Sequence, residues 1–331
     1  MAMRAPDFWS EEPGLLAGLL MPFGAALDAA GRLRRAVVRP YRASVPVICV
    51  GNIIAGGSGK TPVALSLAAI LAERGVKPAI VMRGYGGRLG GPVRVDPQRH
   101  DATDVGDEAL LAAAQGPSWV SRDRAAGVQA AVSDGAAAII LDDGFQNPHV
   151  AKDLSLIVVD AAYGFGNGRL MPAGPLRENV ASGLARADAI ALIGDGKFVD
   201  VAAKPVLRAT LEAIEGERFA GVPVIAFAGI GRPSKFFASL RGLGATLVAE
   251  RGFPDHHRYH RVELAALRAK AAAAGARLVT TRKDWVRLHA DERTGVEVLD
   301  VTLRWRDPAA LDALLTPLVG RIADDRRAVH A

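Results

Sequence analysis

The 331-residue sequence has one cysteine, few aromatic side chains and no large excess of charge of either sign. The single cysteine, Cys49, cannot form a disulfide within the chain, which is typical of a protein that folds in a reducing compartment. Aromatic residues make up 5% of the chain and the net charge is +6, so no basic surface interleaved with stacking aromatics is evident. We therefore expect no nucleic-acid partner, and no feature predicts an obligate protein partner.

A long uninterrupted hydrophobic run is also missing near the N-terminus. The uncharged run Leu15–Leu27 is shorter than the roughly 20 apolar residues that cross a bilayer. Glu11 and Glu12 stand where a signal peptide carries positive charge. Apolar residues of this region recur at helical spacing, and five arginines follow the run: Arg32, Arg34, Arg35, Arg39 and Arg42. This pattern is compatible with two interpretations of residues 1–43: a helix region that lies on an anionic membrane surface, or a core-packed helix with a solvated basic end.

The segment Val45–Thr61, VPVICVGNIIAGGSGKT, carries the strongest chemical signal. An apolar strand, a glycine-rich loop and a Lys-Thr pair that opens a helix form a cradle for a polyphosphate. Backbone amides can approach phosphate oxygens, Lys60 can reach the β- and γ-phosphates, and the Thr61 hydroxyl can bind Mg²⁺. The alternative is a glycine-rich turn with an incidental lysine. The predicted nucleotide-binding residues are Ile54, Ala55, Gly56, Gly57, Ser58, Gly59, Lys60 and Thr61.

Apolar runs with strand character alternate with helical patterns along the chain. They recur at Val45–Val50, Ala79–Met82, Ala136–Leu141, Leu154–Val159 and Ala189–Ile193. This alternation predicts an α/β fold of the P-loop NTPase type, with a mostly parallel sheet and helices on both faces. A second set of strands and helices predicts a smaller α/β domain. The alternating stretches Val206–Leu211 and Val296–Val301 predict a two-stranded hinge between the two domains.

These patterns divide the chain into five predicted parts. The N-terminal helix region covers residues 1–43 and the P-loop domain covers 44–205. A hinge strand follows over 206–220, and the smaller α/β domain covers 221–295. Residues 296–331 are predicted to hold the return strand of the hinge and a C-terminal helix.

Two acids follow the run Ala136–Leu141. In a P-loop fold, the strand beside the P-loop strand ends in an acid that holds Mg²⁺ directly or through water. Asp142 and Asp143 are therefore predicted to form a metal site together with Thr61. The alternative is that these acids only cap a helix.

Other candidate residues have weaker signals. Tyr85 lies in the string RGYGG and could stack on a sugar or simply pack. Asp107 opens a helix, where acids are ordinary caps. Arg177 and Glu178 end a loop with two prolines and could reach a ligand or close a salt bridge within the loop.

The string Asp255–Tyr259 contains two adjacent histidines, His256 and His257. Adjacent side chains of a strand face opposite ways, and no third ligand follows at zinc spacing, so no zinc site is expected. An acid-base role for one histidine is favoured because imidazole titrates near neutrality; an ordinary surface loop is the alternative. The string Thr281–Asp284 is one residue away from a guanine-reading motif. A regulatory NTPase of the metallochaperone or targeting-GTPase type is therefore kept as an alternative function.

Taken together, these strings resemble the tetraacyldisaccharide 4′-kinases, the lipid A 4′-kinases of Gram-negative bacteria. The matching strings run from Gly51 to Trp285 in the family's order: GNIIAGGSGKTPV, RGYGG, DVGDEALLAA, RDR, LDDGFQ, GNGRLMPAGPLRE, FPDHHRY and TTRKDW. The resemblance implies two α/β/α domains joined by a two-stranded hinge. It also implies a kinase that uses ATP and Mg²⁺ to phosphorylate the 4′-hydroxyl of tetraacyldisaccharide 1-phosphate, which yields lipid IVA.

The resemblance also implies individual roles. Asp107 becomes the expected base with His256 as its partner, and Lys60 is expected to act in catalysis. Ligand-side roles are implied for Tyr85, Gln146, Arg177 and Glu178. The implied partners are the lipid A precursor and an anionic membrane surface, and the implied location is the cytoplasmic face of the inner membrane, as a peripheral or monotopic protein.

Two positions depart from the family's usual pattern. Asn147 follows Gln146 where histidine is common, and Ala109 stands where proline is frequent. Neither position touches the chemistry that the resemblance implies.

Overall fold

The computed structural model describes residues 6–9, 11–196 and 204–329. Residues 1–5 and 10 of the predicted N-terminal region lie outside the described residues. The same holds for residues 197–203 of the predicted P-loop domain and for residues 330–331 after the C-terminal helix.

The chain forms two sheets with helices between most strands. The strands of the larger sheet are β1 (Val47–Gly51), β2 (Pro78–Met82), β3 (Val93–Arg94), β4 (Ser118–Val120), β5 (Ala138–Asp142), β6 (Leu154–Asp160), β7 (Ala189–Ile193), β8 (Val206–Ala213) and, near the C-terminus, β13 (Val301–Trp305). The helices of this part are α1 (Leu15–Val37), α2 (Lys60–Glu73), α3 (Ala102–Val105), α4 (Asp107–Ala113), α5 (Arg124–Ser133), α6 (Val180–Ala185) and, at the C-terminal end, α10 (Pro308–Val329).

The smaller sheet follows in the chain. Its strands are β9 (Pro223–Ala228), β10 (Thr246–Gly252), β11 (Arg277–Thr281) and β12 (Val296–Leu299). The helices of this part are α7 (Pro233–Gly242), α8 (Arg261–Ala273) and α9 (Arg282–Trp285). We call the two parts the large unit and the small unit. The precise domain boundaries given above stay predictions.

The larger sheet has the order β13-β8-β7-β6-β1-β5-β2-β4-β3. All its neighbouring strands are parallel except the pairs β13–β8 and β3–β4. From β1 the chain first forms β2 to β5 on one side, with β5 inserted between β1 and β2, and then adds β6, β7 and β8 in order on the other side. Strand β1 therefore lies at the point where the strand order reverses, which is where sheets of this kind bind ligands.

Helices cover both faces of the larger sheet. Ile48 and Val50 of β1 belong to the core on one face, with residues of α2, α4 and α10. Val47 and Cys49 belong to the core on the other face, with residues of α5 and α6. Because both faces are buried, β1 is apolar at successive positions instead of alternating with polar residues. The predicted α/β architecture is confirmed.

The small unit repeats this arrangement with four strands. Its order is β10-β9-β11-β12 and all its pairs are parallel. Phe236, Phe237 and Leu240 of α7 pack on one face, and Leu264 and Leu267 of α8 pack on the other. This unit also has helices on both faces.

Strand β8 has an antiparallel partner near the C-terminus, but this partner differs from the predicted return strand. Val296–Leu299 pairs in parallel with β11 inside the small unit, so its predicted pairing across the hinge was wrong. The antiparallel partner of β8 is β13, with Trp305 opposite Ala209 and Val301 opposite Ala213. Alternating hydrophobicity marked both segments as strands. Which sheet each one joins depends on tertiary packing.

Helix α1 packs on the large unit through only a few of its residues. Gly24 lies so close to Leu170 that an added Cβ would come within 2.8 Å of the leucine Cβ. The described helix has 23 residues and a mean hydropathy of 1.2 over its most apolar stretch, of which 17% is buried. It is therefore long and apolar enough to cross a membrane by length and composition, whereas the uncharged run Leu15–Leu27 covers only its first part. Its outward side chains include Leu15, Leu19, Phe23, Leu27, Leu33 and Val37, all more than half exposed.

Candidate active site

The glycine-rich loop connects β1 to α2, and its glycine part carries backbone amides without partners. Gly56 and Gly59 have φ values of 110° and 91°, which residues with a Cβ rarely adopt. The Asn52 side chain donates to the Ser58 hydroxyl at 3.0 Å and fixes the loop from behind. Within the described residues, the amides of Gly57 through Thr61 donate no hydrogen bond. This row of free donors at a helix N-terminus is suited to a polyphosphate.

Ile54 and Ala55 differ from the rest of the predicted nucleotide-binding set. The Ile54 side chain is buried in the core, and the Ala55 amide donates to the Pro175 carbonyl oxygen at 2.7 Å. The side chain of one and the amide of the other are therefore already engaged in packing the loop. The amides left for a phosphate begin at the glycines.

Lys60 and Thr61 lie beside the acid that ends β5 and the acid that follows it, and the sequence predicted this position for Thr61. Strand β5 pairs with β1 so that Asp142 lies opposite Val50, directly beside the start of the loop. Thr61 Oγ1 donates to Asp142 Oδ2 at 2.9 Å, and Lys60 Nζ lies 3.7 Å from Asp143 Oδ1. Burial lowers the pKa of Lys60, and the Asp143 carboxylate opposes that shift.

The two carboxyl groups have different environments. Asp142 is buried, and this desolvation raises its pKa to about 6. Burial would also raise the pKa of Asp143, but the charges of Lys60 and Arg177 outweigh burial and lower it. Arg177 Nη1 lies 3.1 Å from Asp143 Oδ1. Asp143 also has a φ of 54°, an uncommon conformation that is found preferentially at functional sites.

The side-chain oxygens of Asp142, Asp143 and Thr61 are suited to bind a magnesium ion. Asp142 Oδ1 is buried and has no hydrogen-bond partner among the described residues. A buried carboxylate oxygen without a partner is costly unless a cation or water binds it. Mg²⁺ prefers carboxylate and hydroxyl oxygens, which Asp142, Asp143 and Thr61 supply.

Gln146 and Glu178 form a buried polar layer behind the loop. Gln146 Nε2 donates to the Asn52 carbonyl oxygen at 2.7 Å and to Glu178 Oε1 at 3.0 Å. Glu178 is 1% exposed and is also paired with Arg186 and Arg35. Glu178 therefore contacts other residues of the protein on several sides. A residue that contacts a ligand was expected to be more exposed.

Asp107, at the start of α4, meets His256 of the small unit. His256 Nδ1 lies 3.0 Å from Asp107 Oδ2, although the two residues are 149 positions apart. Tyr85 completes this group, with its ring centroid 5.1 Å from that of His256, and is itself exposed. His256 has a φ of 57°, so this residue too has a strained conformation at the site.

The protonation of this pair is controlled by neighbouring charges. Burial would raise the pKa of Asp107, but the Lys283 and Arg287 charges and hydrogen bonds from Glu108 and His256 hold it well below its usual range. Burial would lower the pKa of His256, but the hydrogen bond with Asp107 and the nearby carboxylates raise it. Burial raises the pKa of Glu108 to about 7, against the opposing charge of Lys283. A buried, strongly interacting group of this kind is typical of an active site.

The second histidine faces elsewhere, as expected for neighbouring residues. His257 stacks on Phe253 with centroids 4.6 Å apart, and its Nε2 lies 2.9 Å from Glu263. Asp107, Glu108 and His256 are close enough together to hold a metal ion. Lys283 Nζ lies 2.7 Å from Glu108 Oε1. The positive charge that these carboxylates require is therefore supplied by a lysine of the protein.

The guanine-reading alternative is not supported by the position of its string. Asp284 is fully buried and accepts hydrogen bonds from Tyr259 at 2.7 Å and from Thr281 at 2.6 Å. A carboxylate with these partners is not free to read a base.

Sequence reasoning missed several charged residues of the site. Arg287 reaches Asp107 with Nε 2.7 Å from Oδ2, and no motif singled it out. Arg232 of the small unit donates to the Gly57 carbonyl oxygen at 3.1 Å and pairs with Asp160 at the end of β6. A single arginine outside a motif has no characteristic spacing in the sequence. Only the packing of the two units shows that these arginines belong to the site.

Comparison with known proteins agrees with this geometry. The profile of the tetraacyldisaccharide-1-P 4′-kinase family, LpxK, matches residues 16–319. The tetraacyldisaccharide 4′-kinase of Rhodospirillum centenum is 53% identical, over 96% of this chain and 97% of the relative. That of Dinoroseobacter shibae is also 53% identical, over 96% of this chain and 98% of the relative.

A solved structure shows the same likeness in three dimensions. The crystal structure of "apo" form LpxK from Aquifex aeolicus in complex with ATP superimposes with a TM-score of 0.75 at 26% identity. The superposition covers 92% of the present chain and 99% of the Aquifex aeolicus chain. Because the family profile spans most of the sequence and close relatives match nearly end to end, the chain belongs to the tetraacyldisaccharide 4′-kinase family.

Proposed function

We infer that this protein is a tetraacyldisaccharide 4′-kinase. It transfers the γ-phosphoryl group of ATP to the 4′-hydroxyl of the lipid A precursor tetraacyldisaccharide 1-phosphate, and the product is lipid IVA. One observation carries this assignment: a phosphate-binding loop with its lysine and metal-type acids lies in the same site as the Asp107–His256 pair. The loop after β9 connects them: a Cβ added to Gly231 would lie 3.7 Å from the Gly57 amide nitrogen and 3.5 Å from Asp255 Oδ2, next to His256.

The phosphate side of the site is suited to bind and neutralise ATP. The free amides that follow Gly56 bind phosphate oxygens, and Lys60 places a positive charge where charge develops as the bond to the γ-phosphoryl group breaks. Phosphoryl transfer depends mostly on positioning and charge neutralisation, which fixed amides and a buried lysine provide.

Thr61 and Asp142 would hold the Mg²⁺ ion, with Asp143 beside them. The ion supplies charge neutralisation at the phosphate oxygens when it is bound. The protein prepares this position through the β1–β5 pairing and the unpartnered Asp142 Oδ1. Arg177 holds Asp143 from the other side and fixes its orientation.

The Asp107–His256 pair acts on the acceptor side. A sugar hydroxyl is a weak nucleophile, so a base that removes its proton assists attack on the γ-phosphoryl group. Asp107 is assigned as this base, and His256 orients it and shares the proton. Tyr85 is exposed next to His256, where it can contact the sugar. Gln146 and Glu178 support the loop, and Arg177 contacts Asp143 and Gln146.

Helix α1 is proposed to lie on the anionic cytoplasmic surface of the inner membrane. Its outward side chains are apolar, and arginines lie in and after its last turns. Such a helix binds a leaflet through buried apolar area and attraction to anionic headgroups. A peripheral or monotopic enzyme of this kind reaches a lipid acceptor without leaving the surface.

The direct test is an assay with radiolabelled ATP, Mg²⁺ and detergent-dispersed tetraacyldisaccharide 1-phosphate. Label is expected on the lipid at the 4′-position, and none on an acceptor that lacks the 4′-hydroxyl. Hydrolysis of ATP at the same rate with and without the acceptor, and no labelled lipid, would instead point to a regulatory NTPase.

A further inference from the structure

Arg287 reaches from the small unit to the proposed base of the large unit. Its Nε lies 2.7 Å from Asp107 Oδ2, and a second nitrogen of the guanidinium contacts the same oxygen. His256 Nδ1 binds that oxygen as well, at 3.0 Å. The side chains of Arg287 and Asp107 are 4% and 3% exposed, so this ion pair is almost completely removed from solvent.

The rest of the small unit holds the Arg287 guanidinium in place. Its Nη1 donates to the Gly229 carbonyl oxygen at 2.6 Å and to Asp284 Oδ1 at 2.9 Å. Asp284 is fully buried and is itself fixed by Tyr259, Thr281 and the Gly229 amide. The arginine is therefore oriented by the small unit, independently of Asp107.

Arg287 and His256 also share a backbone anchor. The His256 amide donates to the Gly229 carbonyl oxygen at 3.1 Å, which is the same oxygen that Arg287 binds. The two donors to Asp107 are thus tied to one point of the loop after β9. A shift of either donor would move the other.

We propose that Arg287 is a positioning residue for phosphoryl transfer: it holds the Asp107 carboxylate ionised and correctly oriented against His256. This inference rests on the proposed function. Arg287 acts through Asp107 and touches neither nucleotide nor acceptor. Its planar fork bonds Asp107, Gly229 and Asp284 at once, an arrangement that a lysine ammonium cannot reproduce.

Other charges face Asp107, but Arg287 is the cation nearest to it. Lys283 Nζ lies 3.9 Å from Asp107 and pairs more closely with Glu108, at 2.7 Å. Burial would raise the pKa of Asp107, and Lys283, Arg287 and the hydrogen bonds to Glu108 and His256 reverse that shift. The charged and titratable groups around Asp107 are Glu108, Asp255, His256, Lys283, Asp284 and Arg287.

The test compares Arg287→Gln and Arg287→Lys with the wild type in full-length protein. Arg287→Gln should move the acid limb of the pH profile of kcat/KM to higher pH by about one unit or more, because a nearby opposite charge lowers a carboxylate pKa by about 1–3 units. Arg287→Lys keeps the charge but not the geometry, so its kcat should fall about tenfold to a hundredfold while the acid limb moves less. The KM for ATP should not change in either variant.

Arg282→Gln is the matched control. Arg282 lies five positions before Arg287, at the start of α9, but pairs with Asp300 through its Nε at 2.7 Å. It makes no contact with Asp107 in the described structure. Its removal should leave the rate and the pH profile unchanged. A purely structural role of Arg287 would lower activity without moving the acid limb.

The double variant Asp107→Asn/Arg287→Gln tests whether Arg287 acts through Asp107. It should be little worse than Asp107→Asn alone, because residues that act as one unit are strongly non-additive. Multiplicative losses, or an unmoved acid limb in a folded Arg287→Gln protein, would overturn the proposal. If Arg287→Gln does not melt cooperatively, Arg287→Lys decides, and a wild-type kcat there overturns the proposal. Wild-type and Arg282→Gln proteins that both fail to label the acceptor would instead overturn the proposed function.

Discussion

The phosphate side of the site comes from one short stretch of chain, whereas the acceptor side comes from distant segments of two units. The amides, Lys60 and Thr61 follow one another in the loop after β1, and β5 adds its acids through direct strand pairing. On the acceptor side, Asp107 meets His256 across 149 positions and Arg287 across 180. Local backbone conformation maintains the first side, and the packing of two units maintains the second. Substitutions on the phosphate side should impair both ATP hydrolysis and phosphoryl transfer. Substitutions on the acceptor side should impair transfer to the acceptor.

The two sides also differ in how their electrostatics arise. Lys60 is affected most by its burial, which lowers its pKa. His256 is half-buried, yet its pKa is raised because of its hydrogen bond with Asp107 and the charges of Asp107 and Glu108. Burial in the local motif therefore destabilises the charged form of Lys60. In the group between the two units, the neighbouring carboxylates stabilise the charged form of His256.

The largest expected effect is on the inter-unit pair. Asp107→Asn and His256→Ala should each lower kcat by roughly 10²–10⁴-fold, the usual scale of a general base. The double variant should be little worse than either single one, and ATP affinity should stay unchanged. Steady-state kinetics with ATP and lipid acceptor measure this.

His257→Ala is the control for the pair, because this neighbour faces Phe253 and Glu263. It should keep its activity. Independent, multiplicative losses in the double variant would show that Asp107 and His256 do not act as one unit.

The next largest effect is expected on the phosphate side. Lys60→Ala should lower kcat by about 10²–10³-fold, the scale for losing one preorganised electrostatic contact. Unlike the pair variants, it should also abolish hydrolysis of ATP in the absence of acceptor. Lys77→Ala, at an exposed position before β2, is the control. Near-normal turnover of the Lys60 variant would contradict the assignment of the loop.

A smaller effect is expected when the metal side is weakened. Asp142→Asn keeps the shape of the side chain but removes the charge, so the Mg²⁺ concentration for half-maximal activity should rise at least about tenfold. Titration of activity with Mg²⁺ at saturating ATP measures it. Asp134→Asn, at the end of α5, where Asp134 pairs with Arg94 at an exposed position, should leave that concentration unchanged. Equal Mg²⁺ dependence of wild type and Asp142→Asn would place the ion elsewhere.

The smallest effect on the rate of phosphoryl transfer is expected from substitutions in helix α1, which belongs to neither the phosphate side nor the acceptor side. Phe23→Asp/Leu27→Asp should reduce binding to anionic vesicles by about tenfold or more, since each apolar side chain that enters a leaflet contributes about 1.5–3 kcal/mol. The KM for the lipid acceptor should rise, and the KM for ATP should not.

Val262→Asp is the matched control, because Val262 is also strongly exposed but lies in the small unit. Point substitutions are preferable to deletion, because the buried Asp28 of α1 accepts a hydrogen bond from the Asn179 amide. Unchanged vesicle binding of the double variant would mean that another surface carries the protein on the membrane.

Much of the architecture could be predicted from sequence. Apolar runs and helical patterns identified the parallel sheet, and β1, β5 and β7 begin and end within a few residues of the predicted positions. The errors concern which partner an element joins. Val296–Leu299 has the alternation of a strand but pairs with β11 inside the small unit. The N-terminal helix agrees with its pattern, because the apolar residues at helical spacing continue to Val37, where α1 ends.

By itself, the sequence determined the elements whose cause is local. Glycines allow the backbone of the phosphate loop, Lys60 and Thr61 follow at the spacing that a helix N-terminus requires, and apolar periodicity marks strands and helices. Only the tertiary structure decided which distant charges meet. It brought Arg287 and His256 to one oxygen of Asp107 and enclosed Glu178 behind the loop. The physical reason is that a buried ion pair needs low exposure and exact placement of both partners, and both come from the packing of whole units.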